Sequence, residues 1–513
     1  MELASRFADF FVILVTLLSD PANWVVLMGA SILGIVFGAL PGLTATLGVA
    51  LLTTLTYGMP LDTALIALLG LYVGAIYGGS FPSILINIPG TAASAATAMD
   101  GYPMAQRGEG ARALGLSTTA SFLGTVIGML CLVAIAPIIA NFALKFTSYE
   151  FFLLALFGIV ISGTLTSTDL VYKGWISGLL GLALACIGRD RLQFFPRFTF
   201  DLSVLESGIE VVPVLIGAFG IPQIIRVLSD GEVLARPKNF GRILPELKTI
   251  SANFKHIVRS AMIGVGIGSV PGVGEDIAGW VSYGAARNTS KHPERFGRGE
   301  PAGLVSSETA NNSCIGGALI PLLTLGIPGS PPAAMLLGAL MLHGVNPGPM
   351  IGFERPGFLL EVTAILLLAS FAMWINGMLL ARQVVRLLAV PASIFLPIVA
   401  LMCVLGSYAL GLNMVNLYLM VPMGIVAYLL VRMEYPIAPL VIGVILGPMA
   451  DENLRRALMV SDGSLVPFFT RPVALILVTV IVLTLLSQVP FVRRLTGRLI
   501  GVIGHVFKRG TGS

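Results

Sequence analysis

A chain of 513 residues that is 56% hydrophobic and 11% charged, with a mean hydropathy of +0.91, excludes an ordinary water-soluble multi-domain protein. The net charge of +5 comes without a basic patch interleaved with aromatic residues, so it excludes nucleic acid as a partner and fits basic loops beside an anionic leaflet. An integral membrane protein remains, and 59 glycines with 31 prolines favour close-packed, interrupted helices over a barrel.

The N-terminal run MELASRFADFFVILVTLLSD lacks a strongly basic leader and a small-residue cleavage site, so it is expected to be retained. Apolar stretches then predict helices near 24–40, 43–57, 61–78, 113–140, 151–165, 172–187 and 209–228. Beyond a hydrophilic interval, further helices are predicted near 257–270, 274–287, 309–325, 333–345, 357–380, 387–411, 413–431, 435–449 and 472–490. Several are too short to cross a bilayer alone, which predicts about 10 to 14 spans together with broken or re-entrant segments. The organisation expected is a first membrane half over 1–228, a hydrophilic connector over 229–256, a second half over 257–490 and a basic cytoplasmic tail over 491–513. The connector region, from Arg226 to Arg259, and the tail both carry an excess of Lys and Arg, which by the positive-inside tendency makes them cytoplasmic. A third basic loop, Arg287 to Arg298, lies one short apolar segment beyond Arg259, so if both loops are cytoplasmic that segment enters the membrane and returns.

The two halves repeat one another. GIVFGALPG at 34–42 matches GVGIGSVPG at 264–272, an offset of 230. INIPGT at 86–91 matches LGIPGS at 325–330, an offset of 239 that also pairs Pro82 with Pro321 and Gly78 with Gly317. Two matches in the same order at nearly the same displacement indicate an internal duplication.

Each Pro-Gly pair removes a backbone donor and permits dihedrals that other residues avoid, so it breaks its helix. In hydrocarbon the freed backbone groups need protein or a water-filled cavity around them. Pro89-Gly90-Thr91 and Pro328-Gly329-Ser330 are therefore candidate hairpin tips whose amides and hydroxyls can hold an anion or coordinate a cation. A lone Pro-Gly pair would read as a packing kink; the duplicated pair favours a site. Asn311 and Asn312 need partners if buried, which a ligand or a facing helix can supply. Pro41-Gly42 corresponds to Pro271-Gly272, but Glu275 and Asp276 stand where the first half has Ala45 and Thr46. An intramembrane acid is costly unless paired, protonated or coordinated, although these two also suit a wet helix start. Glu308 reads as chemistry of an N-terminal turn outside the hydrocarbon. In AMDGYPMAQRGEGARALG at 98–115, Gly101 and Pro103 predict a turn, and its charges read more simply as a cytoplasmic anchor than as Arg107 or Arg112 attracting an anion.

Enzyme signals are weak. The four histidines form no HExxH, the four cysteines no CxxC, and no glycine-rich run is followed by the Lys of a phosphate loop. A membrane-embedded transferase or hydrolase, and a non-transport scaffold or receptor, are the rival classes.

GALPGLTATLG at 38–48, GLYVGAIYGGSFPSILINIPGTAASAATAMDGYPMAQRG at 70–108, GVGIGSVPGVGEDIAGWVSYGAARN at 264–288 and NNSCIGGALIPLLTLGIPGSPPAAMLLGALMLHGVNPGP at 311–349 together resemble the large membrane subunit of the bacterial tripartite tricarboxylate transporters. The resemblance implies a secondary transporter of the bacterial inner membrane that takes up citrate or another organic carboxylate. It also implies a small membrane subunit and a periplasmic substrate-binding protein as partners, and an ion gradient as the driving force. The fold expected is all-α and polytopic, with two related halves and broken or re-entrant helices. Sequence alone leaves parallel and inverted arrangements open; the analogy with other carboxylate transporters suggests inverted repeats and an elevator-like core. Asn87, Pro89, Gly90, Thr91, Asn311, Asn312, Gly329 and Ser330 are the candidate substrate cavity, and Thr44, Thr46, Glu275 and Asp276 the candidate coupling-ion residues. No cofactor is expected beyond a coupling sodium ion or proton, and a homo-oligomer is left open.

Overall fold

The computed structural model describes residues 2–40, 43–167, 170–190, 192–230, 243, 247–387, 392–409 and 413–488. Pro41 and Gly42, most of the connector and the basic tail lie outside the described residues.

The first half comprises α1 (Glu2–Ser19), α2 (Pro21–Ala39), α3 (Ala45–Leu55), α4 (Leu61–Gly78), α5 (Ser80–Ile86), α6 (Ala95–Gln106), α7 (Gly110–Ala143), α8 (Ser148–Thr166), α9 (Val171–Ala185) and α10 (Val211–Asp230). Within the expected connector lie α11 (Leu247–Ala252) and the start of α12 (Phe254–Gly268), and the chain continues with α13 (Glu275–Thr289), α14 (Pro301–Leu325), α15 (Pro331–Leu342), α16 (Ile351–Glu354), α17 (Phe358–Leu387), α18 (Ala392–Ala409), α19 (Met414–Arg432), α20 (Ile437–Val460), α21 (Pro467–Thr470) and α22 (Pro472–Ser487). Between α9 and α10, β1 (Gly188–Arg189) and β2 (Pro196–Arg197) form one short antiparallel pair. Eight described helices are long and apolar enough to cross a bilayer, and six more are apolar but shorter. The fold is thus all-α and polytopic, as the hydropathy predicts.

Local chemistry sets the helix ends. Asp20 accepts from the Ala22 amide at 2.8 Å with Pro21 in the first turn, and Thr44 accepts from the Leu47 amide at 3.1 Å to start α3. Ser330 does the same for α15, accepting from the Ala333 amide at 3.3 Å with Pro331 and Pro332 opening the helix.

The duplication is repeated in the packing, position for position. A methyl group added at Gly34 would lie 2.2 Å from the Leu71 carbonyl oxygen, and one at Gly38 would lie 2.1 Å from that of Ala75. At the matching positions, Gly264 would meet the Ala310 oxygen at 2.2 Å and Gly268 the Cys314 oxygen at 2.4 Å. Only glycine lets two helix backbones touch this closely, so α2 seats on α4 as α12 seats on α14. The halves interlock as well. Gly124 and Gly128 of α7 would meet the Thr309 and Ser313 oxygens of α14 at 2.4 and 2.5 Å, while Gly377 of α17 abuts Tyr77 of α4.

Three sequence expectations need correction. α14 begins at Pro301 rather than near 309, because the proline suits a first turn and the residues after it pack on α6 and α13, where Gly303 abuts Asp100 and Tyr283 and Ser282 donates to the Ser306 carbonyl. The stretch 95–106 is a helix with Pro103 inside it, not a turn. Asp100 holds it against the other half, accepting from the Gly297, Gly299 and Glu300 amides at 2.9, 2.8 and 2.8 Å. The third concerns Glu308: it lies within α14 and is 0% exposed, rather than in a terminal turn outside the core.

Candidate functional site

Both hairpins break in the same way. The first long arm, α4 and α5, ends at Asn87 with φ 58°, and the second, α14, ends at Gly326 with φ 70°. These positions correspond at the offset of 239, and asparagine is among the few residues that accept the left-handed region in place of glycine. In each, the next amide returns to the proline of the arm: Ile88 to the Pro82 oxygen at 3.3 Å, Ile327 to the Pro321 oxygen at 3.2 Å. Each Pro-Gly then seats on its own half. A methyl group at Gly90 would lie 2.2 Å from the Gly38 oxygen, and one at Gly329 2.0 Å from the Gly268 oxygen.

The helix α13 brings the two tips together. At its start, a methyl group on Gly274 would lie 2.9 Å from Ser330 Cβ of the second tip. Five residues on, one at Gly279 would lie 3.2 Å from the Ala93 oxygen of the first tip. At 1.5 Å of rise per residue, the tips meet α13 about 7.5 Å apart along its axis. Between those points Glu275 is buried in the first turn of α13. Tyr72 of α4 donates to Glu275 Oε1, and its hydroxyl lies 2.8 Å from Ser330 Oγ. One phenol thereby joins the arm of the first hairpin to the acid and tip of the second half.

A second buried acid lies deeper. Glu308 accepts from Ser80 Oγ and Ser121 Oγ, each at 2.7 Å, and from Thr97 Oγ1. The contrast with the other buried acids is informative. Glu150 pairs with Arg471 at 2.7 Å, Asp190 with Arg455 and with Arg197 at 3.5 Å, and Asp100 takes three backbone amides. Among the described residues, no basic side chain pairs with Glu275 or Glu308. Glu275 at least gains from the amides at a helix start; Glu308, inside its helix, has hydroxyls alone. A carboxylate so placed is costly to leave charged.

The remaining predicted residues are distributed as follows. Thr91 and Ser94 cap each other at the first tip and are buried, with Ser83 Oγ donating to Ser94 Oγ at 2.8 Å. Asn312 is buried and its Nδ2 donates to Thr125 Oγ1 at 3.3 Å, whereas its Oδ1 and both polar atoms of Asn311 are buried without a partner. Thr46 is buried beside the Thr44 cap. Asn87, Pro89 and Asp276 are exposed; among these candidates the structure links Glu275 with Ser330 through the Tyr72 hydroxyl. A cavity of about 120 Å³ lined by Cys186, Asp190, Arg197 and Asp451 lies elsewhere and includes no tip residue. There, the Gln193 amide at 2.8 Å, the Leu192 amide at 2.7 Å and the two arginines hold Asp190 below the usual carboxylate range.

Tyr72, Ser80, Thr97 and Ser121 were not candidates in the sequence. The offset of 239 does place Tyr72 opposite Asn311, which is a usable signal: the repeat-related position reaches across the halves.

A family model described as the tripartite tricarboxylate transporter TctA family matches residues 24–442. An Agrobacterium vitis protein described as an uncharacterized 52.8 kDa protein in the TAR-I ttuC' 3'region is 36% identical over 464 residues, covering 90% of this chain and 92% of that one. A second, described as an uncharacterized protein in the TAR-II ttuC' 3'region of Agrobacterium vitis, is 34% identical over 228 residues, or 44% of this chain and 94% of its own. No solved structure matches.

Proposed function

The chain belongs to the tripartite tricarboxylate transporter TctA family, and from that premise we propose that it is the subunit that moves an organic carboxylate through the bacterial inner membrane by secondary transport. The observation that carries this reading is the meeting of two repeat-related tips on α13, beside the Tyr72–Glu275–Ser330 contact. Amide and hydroxyl groups at broken helix ends suit a carboxylate, and a carboxylate crossing a low-dielectric passage requires its charge to be offset. In this scheme a periplasmic binding protein delivers the anion, a small membrane subunit completes the assembly, and a co-transported cation neutralises the charge before the core changes exposure. The two halves act as inverted repeats, so that the tips alternate between the two sides.

The test is uptake into proteoliposomes holding this chain, the small membrane subunit and the cognate binding protein, with sodium and proton gradients imposed separately. Accumulation of one member of a carboxylate panel under one gradient is expected. Intact assembly with no uptake across the panel would overturn the transport reading, and turnover of a substrate without a gradient would favour an enzyme instead.

A further inference from the structure

We propose that Glu308, Ser80, Thr97 and Ser121 form a binding site for a monovalent metal cation of the sodium class. The proposal rests on the transport reading only where it assigns the ion a role in closing the tip; binding itself does not depend on it.

The ligand chemistry points that way. Glu308 is 0% exposed and lies inside α14, away from any helix start. Its Oε1 accepts from Ser80 and Thr97 and its Oε2 from Ser121, so five hard oxygens from four helices converge on one place. Two further oxygens flank it. Asn312 is one helical turn beyond Glu308 on the same face, and its Oδ1 is buried without a partner. Ser117, one turn before Ser121 on α7, is 0% exposed and its Oγ is also unpartnered. A proton on Glu308 adds a single donor, whereas a cation engages several lone pairs at once. The charge count selects the valence. With one carboxylate and otherwise neutral oxygens, a monovalent ion leaves the site neutral, while a divalent ion would leave a net positive charge in an apolar core. No thiol or imidazole contributes, which disfavours softer metals.

Position gives the ion a consequence. Ser80 opens α5 on the outgoing arm of the first hairpin and Thr97 lies on the returning α6, while Ser121 belongs to α7 and Glu308 to the other half. A cation held by all four draws both arms of the first hairpin onto α14. Ser83, one turn beyond Ser80, bonds Ser94 of the tip, so the tip is ordered along with the arms.

The experiment uses the purified full chain in nanodiscs, with thermal unfolding measured in sodium chloride against choline chloride at constant ionic strength and pH. Sodium is expected to raise the midpoint in a saturable way. Ser121→Ala should need about tenfold more sodium for the same rise, the loss of one ligand of ordinary strength. Glu308→Gln should abolish the sodium response while remaining monodisperse, and if it does not fold the Ser121→Ala titration decides. Equal unfolding in sodium and choline would overturn the proposal, as would a sodium response unchanged in Ser121→Ala and Glu308→Gln. Sodium binding with no uptake of any carboxylate would leave this site standing and remove the transport reading; uptake without sodium binding would do the reverse.

Discussion

Tyr72→Phe isolates the contact that joins the halves. The ring is 1% exposed, and phenylalanine keeps its packing while deleting one oxygen. Lost with that oxygen are the donation to Glu275 and the 2.8 Å contact with Ser330 Oγ. A hydrogen bond to a charged group contributes about 1.5–3 kcal/mol and a neutral one about 1 kcal/mol. Ser330 keeps the Ala333 amide at 3.3 Å, so the net loss is about 2–3 kcal/mol. If this joint holds the second tip in its working position, that energy corresponds to a fall of about 30- to 150-fold in uptake rate, at about 1.4 kcal/mol per tenfold. The assay is initial uptake in proteoliposomes, normalised to monodisperse protein recovered from them. Ser330→Ala in the same background should cost less than additively, because both substitutions remove the same contact. Uptake by Tyr72→Phe within about twofold of the parent, with unchanged ion dependence, would refute the idea that this phenol positions the tip.

Gly329→Ala places a methyl group 2.0 Å from the Gly268 oxygen and 2.6 Å from Ala318 Cα. Backbone cannot give way as a side chain can, so a loss of about 1–3 kcal/mol is expected, read as a lower thermal midpoint; an unchanged midpoint would contradict the seated tip. Asn87 separates backbone from side chain. Its φ of 58° makes Asn87→Ala costly by about 1–2 kcal/mol, whereas Asn87→Gly should retain uptake. Loss of uptake in both would show that the exposed amide itself touches a ligand. Asp190 supplies a pH signature. Its folded value is depressed by neighbouring amides and arginines, so its contribution is fully present above the unfolded carboxylate value of about 3.9 and is lost as pH falls through the lower folded value. The stability difference between the parent and Asp190→Asn should therefore be constant near neutrality and shrink only below about pH 4, as followed by thermal unfolding.

The outline of the fold was readable because its signals are local or periodic. Long apolar runs gave most helices, and Pro-Gly pairs at fixed offsets gave the hairpin tips and their equivalence. The polar chemistry was harder, because it is assembled from distant parts of the chain. Glu308 reads as terminal only while the apolar run near 309 marks the helix start; Pro301, suited to a first turn, is the sequence signal that places it two turns inside α14. Tyr72 looked like one more apolar residue in α4, and only its contact with Glu275, 203 residues away, shows its use. Asp100 shows the same effect on local structure: Gly101 and Pro103 favour a turn, but three amides of the other half hold a helix there. Asn87 was legible as a break but not as a left-handed cap, although its equivalence to Gly326 implied one.

The central claim is that the two tips enclose the transported anion. Its most direct test is thiol labelling of Thr91→Cys and Ser330→Cys, in protein whose Cys131, Cys186, Cys314 and Cys403 are replaced, assembled with its partner subunits. Labelling is followed with and without the carboxylate that the uptake assay identifies. The account predicts that the carboxylate protects both positions, and more strongly when the coupling ion is present. Labelling at both positions that is indifferent to the carboxylate would contradict it.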